Sequence, residues 1–496
     1  MKSNFRKIFD FIKSNWYFSL LVIPFVSFCV ANRVPDNDIW FIMNNGRYVL
    51  SNGIPYIEPF TIHQGFSYVM QQWLSAILFY GSYHLFGKLG LLGLVTIVYF
   101  VISFVYYKIC FLLTSNKKTS LLVTVLVMLF SYEYIISRPQ IFTYLILLIE
   151  LFCLEKYCKT NDYKKLICLP FLSLLSINMH ASVWLLQFVF MLPFICNGIK
   201  IKNITINKVK VKPLLITFVL MFLAGFINPY GYKAMTFIFS IFGIPEINKL
   251  VAEMQPSSFI MFHYKLALLL LIANVILICI NRKVKLDIRF ILLLCGGFVF
   301  ASMHAKCVIY FFWYGCFVLA KVLEGYKDFT FKIDIKNKII KSLGRGLSIG
   351  LFFSLVVTFV FTSIEIVKHF RMKTNYIYDV VDYIEDNYEK ESIILYVDFN
   401  DGGYTEFRGI KSYIDPRAEV FFNRLNRKEN ILTEYLSLSE EDTNFKEFVN
   451  KYSFSHLIVE NGSYLEKYLA TDENYVKEYT HYYNGTVPMY DLYVKK

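Results

Sequence analysis

Apolar runs of bilayer-spanning length recur through the first three-quarters of this chain, and no other feature restricts its fold as much. They lie near residues 16–32, 89–113, 119–136, 140–157, 166–180, 183–197, 213–228, 264–281, 288–304, 307–323 and 347–366, several at the short end. A helix of about 20 apolar residues crosses the hydrocarbon layer, and it does so because it satisfies its own backbone polar groups. At 56% hydrophobic and 18% charged over 496 residues, the chain is too apolar for a soluble protein of this length. The pattern predicts an all-α polytopic membrane bundle.

The net charge of +13 does not point to nucleic acid. The lysines and arginines sit in short clusters between the apolar runs, where they act as topology signals, so no nucleic-acid partner is expected. All ten cysteines, Cys29 to Cys316, fall in or beside the apolar part, and they form neither a CxxC metal site nor a disulfide framework. The basic stretch MKSNFRKIFDFIKSN precedes the first run without a small-x-small cleavage site, and reads as an uncleaved signal anchor with a cytoplasmic N-terminus.

One further run, Trp73 to Phe86, covers 14 residues, roughly 21 Å of helix against a core of about 30 Å. Charge parity decides its place. If it lies in the interface, the chain crosses eleven times, and the clusters at Lys117–Lys118, Lys156–Lys165, Lys200–Lys212, Arg282–Lys285 and Lys327–Arg345 all become cytoplasmic. If it spans, every one of them moves outside. The eleven-helix arrangement puts the unusual polar blocks PDND (35–38), SRPQ (137–140), INMHA (177–181), NPYG (228–231), AEMQPSSF (252–259) and MHAK (303–306) on the outer face.

From about residue 370 the composition becomes that of a soluble α/β module. A helical YIYDVVDYIEDNYEK leads to a strand-like SIILYVDF, a turn NDGGY and a second strand-like IKSYID. Helices near 428–438 and 442–452, a strand SHLIVE and a hairpin at Asn484–Gly485 follow. The predicted division is a membrane domain over 1–369, with a first outer loop at 33–88, and an extracytoplasmic α/β domain over 370–496. The three N-x-[ST] sites, at Asn203, Asn461 and Asn484, carry no message without a source.

Asp36 and Asp38 stand where the chain first leaves the apolar region. Behind them Ile39, Ile42, Met43, Val49 and Leu50 recur at helical spacing up to Gly53 and Pro55, predicting a helix lying flat at the interface with Asn45, Arg47 and Asn52 toward water or headgroups. Either aspartate could be the N-cap, but a cap needs only one, and a carboxylate at the membrane surface also suits a general base. Arg138 ends one span just before Pro139, while His180, His304 and Lys306 hold equivalent positions. Each alone could snorkel or be structural, and together they offer one outward site several cationic donors for a phosphate. The loop from Lys233 to Lys265, carrying Glu246, Glu253, Gln255 and His263, reads as a lid or groove wall. Walker A, GxGxxG and HExxH patterns are all missing, which leaves no support for a soluble nucleotide or zinc hydrolysis.

The order of these blocks resembles the GT-C-type membrane glycosyltransferases, in a poorly characterised bacterial branch. The residues carrying the resemblance are Asp38, Trp40, Gly46, Arg47, Leu50, Gly53, Ile54 and Pro55, then Glu58-Pro59-Phe60 and Gln72-Trp73-Leu74, followed by the later polar blocks. In the tail, DGGY (401–404) and YIDPRAE (413–419) belong to it as well. Two departures stand out: Ile42 and Met43 lie where the branch usually has a histidine, and Pro416 replaces a common glycine. The resemblance implies transfer of a sugar from a polyprenyl-phosphate-linked donor to a cell-envelope glycan or lipid acceptor, with inversion. Asp38 would be the base, with Asp36 as its understudy. Arg138, His304, Lys306 and His180 would face the donor phosphate, and Trp40, Arg47, Gln72, Gln140, Asn228, Tyr230, Glu253 and Gln255 the substrate groove. Asp415 and Arg417 of the outer domain read as a ligand contact or a local ion pair. Members of the type differ in needing a divalent cation, and the two carboxylates of DND do not decide the matter. The rival readings are a transporter or lipid-linked saccharide flippase, and a non-catalytic envelope assembly protein.

Overall fold

Helices coincide with every predicted run from 16–32 to 307–323. They were located in a computed structural model that describes residues 16–32, 36–198, 209–241, 243–281, 284–326, 357–358, 360–364, 377–483 and 485–496. Most of the run at 347–366 and much of the basic clusters at 200–212 and 327–345 lie outside the described residues, as do Asn203 and Asn484. The helices used below are α1 (Val22–Ala31), α2 (Ile39–Asn52), α3 (Trp73–Thr114), α4 (Lys117–Ser131), α5 (Gln140–Thr160), α6 (Leu169–Met179), α7 (Leu186–Cys196), α8 (Val211–Ala224), α9 (Phe262–Ile280), α10 (Ile288–Met303) and α11 (Val308–Glu324). Among the described residues, three helical stretches are long and apolar enough to cross a bilayer by length and composition: Trp73–Thr114, Phe262–Ile280 and Ala305–Glu324. These lengths do not fix the number of crossings.

Gly87 breaks α3, with φ 60° and ψ −146°, a conformation that needs a residue without a Cβ. The break separates Trp73–Phe86 from the following apolar stretch at the point where the sequence divides them.

Helix α2 forms as predicted, but its first half is covered by protein rather than open to a surface. Ile39 through Gly46 are all buried, Asn44 and Asn45 included, because the helix is wedged between the first half of α3 and the C-terminal domain. A helix buried on two sides cannot offer its middle to headgroups. Gly46 sits so close to α3 that a Cβ there would come within 2.2 Å of the Ala76 carbonyl oxygen. Gly46→Ala is therefore expected to cost about 1–3 kcal/mol, read as a lower thermal midpoint of the purified protein. An unchanged midpoint would mean that the two helices are not in such close contact.

The C-terminal domain opens with α12 (Tyr378–Asn387). It carries a small mixed sheet of β1 (Leu395–Tyr396), β2 (His456–Glu460), β3 (Tyr475–Tyr483) and β4 (Val487–Lys495), in the order β1-β2-β4-β3. β1 runs parallel to β2, and β2 and β3 both pair antiparallel with β4. Two expectations need correction. IKSYID is no ladder strand: Ser412 makes isolated bridges to Leu395 and to Thr61 of the first outer loop. The DGGY turn continues into a short helix, α13 (Gly402–Phe407), which packs on α2. The predicted helices at 428–438 and 442–452 appear as Ile431–Ser437 and Phe445–Tyr452.

This domain and the first outer loop share one seam. The Ile62 amide donates to the Ser412 carbonyl at 3.0 Å and the Ser67 amide to the Asn426 carbonyl at 3.1 Å, and Lys428 Nζ reaches the Gln64 carbonyl at 2.9 Å. The segments that most need partners after leaving the apolar bundle thus find them in the tail.

Candidate functional site

Five of the six polar blocks, all but NPYG, contribute to one cavity. Asp38, Ile42, Gln72, Arg138, Gln140, His180, Glu253 and Lys306 line a single cavity of about 170 Å³, and Pro416, Arg417 and Glu419 of the C-terminal domain close one of its sides. The loop from Lys233 to Lys265 folds into short helices at Tyr232–Met235, Phe237–Ile241 and Pro245–Leu250, then a turn at Ala252–Met254. Ile241, Ile247, Val251 and Glu253 from it form another side of the cavity.

Arg138 organises the acidic side. Its Nε and Nη2 donate to Asp36 Oδ1 and Oδ2 at 2.8 and 3.0 Å, and Nη1 donates to both Glu253 oxygens at 3.1 and 3.2 Å. Nη2 also lies 3.0 Å from Asp38 Oδ2. Burial works against its charge, but Asp38, Asp36 and Glu253 outweigh that and raise its pKa. An arginine so fully occupied by carboxylates has little left for a substrate phosphate.

The two aspartates have different jobs. Asp36 Oδ1 accepts from the Asp38 amide at 3.1 Å, so Asp36 shapes the turn that starts α2. Asp38 holds the N-cap position but makes no side-chain capping bond. Its side chain keeps 27% of its surface and lines the cavity, and among the described residues Oδ1 receives no hydrogen bond. Burial, together with Asp36, Glu253 and Glu419, pushes its carboxyl up to about 7 against the opposing pull of Arg138.

Lys306 is the counterpart. It lines the same cavity, and among the described residues no carboxylate comes within ion-pair distance of its Nζ. The MHAK block and the residues just before it are held against AEMQPSSF by hydrogen bonds that each end on a backbone carbonyl. The Ala305 amide donates to the Gln255 carbonyl at 2.9 Å, His304 Nδ1 lies 2.5 Å from the Met254 carbonyl, and the Ser257 hydroxyl donates to the Ala301 carbonyl at 2.6 Å. His304 and Gln255 thus position Glu253 and Lys306, and neither lines the cavity. His180 does line it, with Nδ1 3.1 Å from the Thr143 hydroxyl.

Other predicted groove residues lie elsewhere. Trp40 Nε1 donates to the Tyr378 hydroxyl at 3.2 Å, and its ring packs on Tyr404 and Phe407 in the seam between α2 and the C-terminal domain. Tyr230 donates to the Pro55 carbonyl at 2.7 Å, and Asn228 closes its own turn by bonding the Gly225 and Gly231 carbonyls. Arg47 lines a second cleft. Ile42 stands as an apolar wall where the branch usually has histidine, while Met43 is fully buried in the core.

Asp415 and Arg417 form the local ion pair that was one of their two readings, and the pair extends across the seam. Arg417 Nε lies 3.0 Å from each Asp415 oxygen, and Nη2 bonds Asp415 and reaches Glu58 Oε1 at 2.9 Å and Glu406 Oε2 at 3.4 Å. Glu58 also accepts from the Phe60 and Thr61 amides at 2.9 and 3.0 Å. Sequence reasoning missed Gln71 and Glu419 as cavity residues. Gln71 stands just before Gln72-Trp73-Leu74 and Glu419 ends the quoted YIDPRAE, and the one signal was a polar side chain in or beside those blocks.

The carboxylate set does not suit a divalent cation. Asp36, Asp38 and Glu253 converge on the Arg138 guanidinium, which fills the place between them, and no group of three or more His, Cys, Asp or Glu among the described residues is arranged to hold a metal. Arg138→Ala is expected to free that place, giving a variant that binds Mn²⁺ by calorimetry where the wild type does not. A variant with no greater Mn²⁺ binding than wild type would show that the three carboxylates need the arginine to stay together.

Neither a protein-family model nor a curated protein matches the sequence. Among solved structures, the chain is similar to the oligosaccharyltransferase of Archaeoglobus fulgidus, crystallised tethered to an acceptor peptide containing the NVT sequon. Identity is 11% and the TM-score 0.55, over 91% of this chain and 70% of that one. What this chain shares with that enzyme is therefore its overall fold.

Proposed function

We propose that the chain is a membrane glycosyltransferase that moves a sugar from a polyprenyl-phosphate-linked donor to a cell-envelope glycan or lipid, with inversion. The observation that carries this reading is that two groups with unused capacity line one cavity. Asp38 offers an unbonded carboxylate oxygen with a pKa near neutrality, and Lys306 offers a cation without a carboxylate partner. The likeness of fold to an oligosaccharyltransferase supports the reaction class.

In the proposed step, Asp38 Oδ1 takes the proton of the acceptor hydroxyl. The acceptor oxygen bonds to the anomeric carbon as the bond from that carbon to the phosphate oxygen breaks, and the electron pair leaves with the phosphate. Lys306 meets the charge that develops on it, with His180 beside it. Arg138, engaged by three carboxylates, positions Asp38, and Gln72, Gln140 and Glu419 offer hydrogen bonds to sugar hydroxyls. The distribution of lysines and arginines supports an extracytoplasmic site in a multi-pass cell-membrane protein. The test is transfer of labelled sugar from polyprenyl phosphate to an envelope fraction by the purified protein in nanodiscs, with release of the lipid phosphate in equal amount. Equal rates for wild type and Asp38→Asn would sink the assignment.

A further inference from the structure

Arg47 opens onto a second cleft, of about 310 Å³, between α2 and the C-terminal domain. Nine residues of helix separate Asp38 from Arg47, about 13.5 Å along the axis and two and a half turns around it. The cleft therefore lies farther along α2 than the cavity described above and shares no lining residue with it, and Asn44, Tyr48, Asn52, Phe60 and Lys411 line it with Arg47.

Its charge is unbalanced. Arg47 Nη2 donates to Asn44 Oδ1 at 2.7 Å and to the Glu406 carbonyl at 3.4 Å, and the guanidinium lies 4.9 Å from the centre of the Phe407 ring. Among the described residues, its Nε and Nη1 have no hydrogen-bond partner, and no carboxylate lies within ion-pair distance of Arg47 or of the exposed Lys411. Glu406 is the one carboxylate among the cleft's described lining residues, and its side chain turns away. Oε1 accepts from the Ser412 hydroxyl at 2.6 Å, and Oε2 faces Arg417. Burial and Asp415 push that carboxyl well up, toward its neutral form, so it supplies little counter-charge. Burial meanwhile disfavours the charge on Arg47, as expected of a half-buried cation without a counter-ion.

We propose that this cleft is an anion site, in which the free edge of the Arg47 guanidinium and the Lys411 ammonium grip a phosphoryl or carboxylate group. The planar guanidinium edge suits two oxygens of one such group, and Lys411 adds a mobile point charge. The bound anion ties α2 to the C-terminal domain beside the Arg417 cluster, whose Glu406 and Phe60 also line the cleft. The site does not depend on the transfer reaction proposed above, and binding can be read without activity.

The probe is inorganic phosphate, followed through the thermal midpoint of the full chain in detergent. Phosphate is expected to raise the midpoint of wild type and of Lys306→Gln alike. Arg47→Gln and Lys411→Gln should each need about tenfold more phosphate for the same rise. Lys411 is exposed, so its variant keeps the test sound even if Arg47→Gln folds poorly. Repeating the titration in nanodiscs separates two sources of the group. Weaker phosphate binding in phosphatidylglycerol than in phosphatidylcholine identifies a lipid headgroup as occupant of the site, and equal binding identifies a soluble anion. The proposal is overturned if phosphate has no effect on wild type, or if its effect survives in Lys411→Gln and disappears in Lys306→Gln.

Discussion

Asp38→Asn should lower the turnover of sugar transfer by about 10²–10⁴-fold, the usual contribution of a positioned general base, with little change in the KM for the lipid donor. Asparagine keeps the shape and the Arg138 contact but cannot take a proton. The pH profile gives a second reading of the same group. The carboxyl titrates at about 7, so the rate should climb as pH rises through that value and level off above it. Glu419→Gln removes a like charge that contributes to the upward shift, and it should move the inflection to lower pH while leaving the base in place. A flat profile from pH 5 to 9 would separate Asp38 from the chemistry. The sign for stability is the reverse. The folded-state value lies above the usual 3.8, so the contribution of Asp38 to stability is complete below that lower value and is lost as pH rises through about 7.

The second large effect concerns Arg417. It is 3% exposed and held among Asp415, Glu58 and Glu406, with its guanidinium 5.0 and 5.2 Å from the Phe60 and Tyr68 rings. Arg417→Met removes the cation and strands buried carboxylates, which is expected to cost about 3–5 kcal/mol, measured by thermal or denaturant unfolding. Adding Asp415→Asn should cost less than the sum of the single changes, since one stranded charge is removed with its partner. Additive losses would mean that the ion pair is not a unit. Proteolysis should report the same weakening first at the seam, between the first outer loop and the tail.

Eight of the predicted site residues share one cavity, Arg417 from the tail and Asp38, Gln72, Arg138, Gln140, His180, Glu253 and Lys306, the last seven because polar groups are costly at the ends of apolar helices unless they meet one another. Their identity was legible for that reason, but their division of labour was not. Arg138 looked like a phosphate ligand until its three carboxylates came into view, since contacts across 102 and 115 residues leave no local pattern. Trp40 and Tyr230 looked like groove residues and proved to be packing and anchoring groups, because an aromatic side chain with one polar atom serves either purpose. The helix at 39–52 was legible from its period, yet its surroundings were not. Periodicity shows that a face is apolar, and says nothing of what covers the other side. The strand expected at 410–415 failed for a related reason: its backbone partners come from the first outer loop.

The distance along the chain between Glu58 and Arg417 has a consequence for biosynthesis. They meet across 359 residues, and at about 5–20 residues per second a ribosome needs roughly 20–70 s to pass from one to the other. During that interval the first outer loop is already made while Arg417 does not yet exist, and the cavity lacks the side that Pro416 to Glu419 supply. A nascent chain stalled between residues 306 and 416 would carry Asp38 and Lys306 but no finished site, so competence waits on the C-terminal domain.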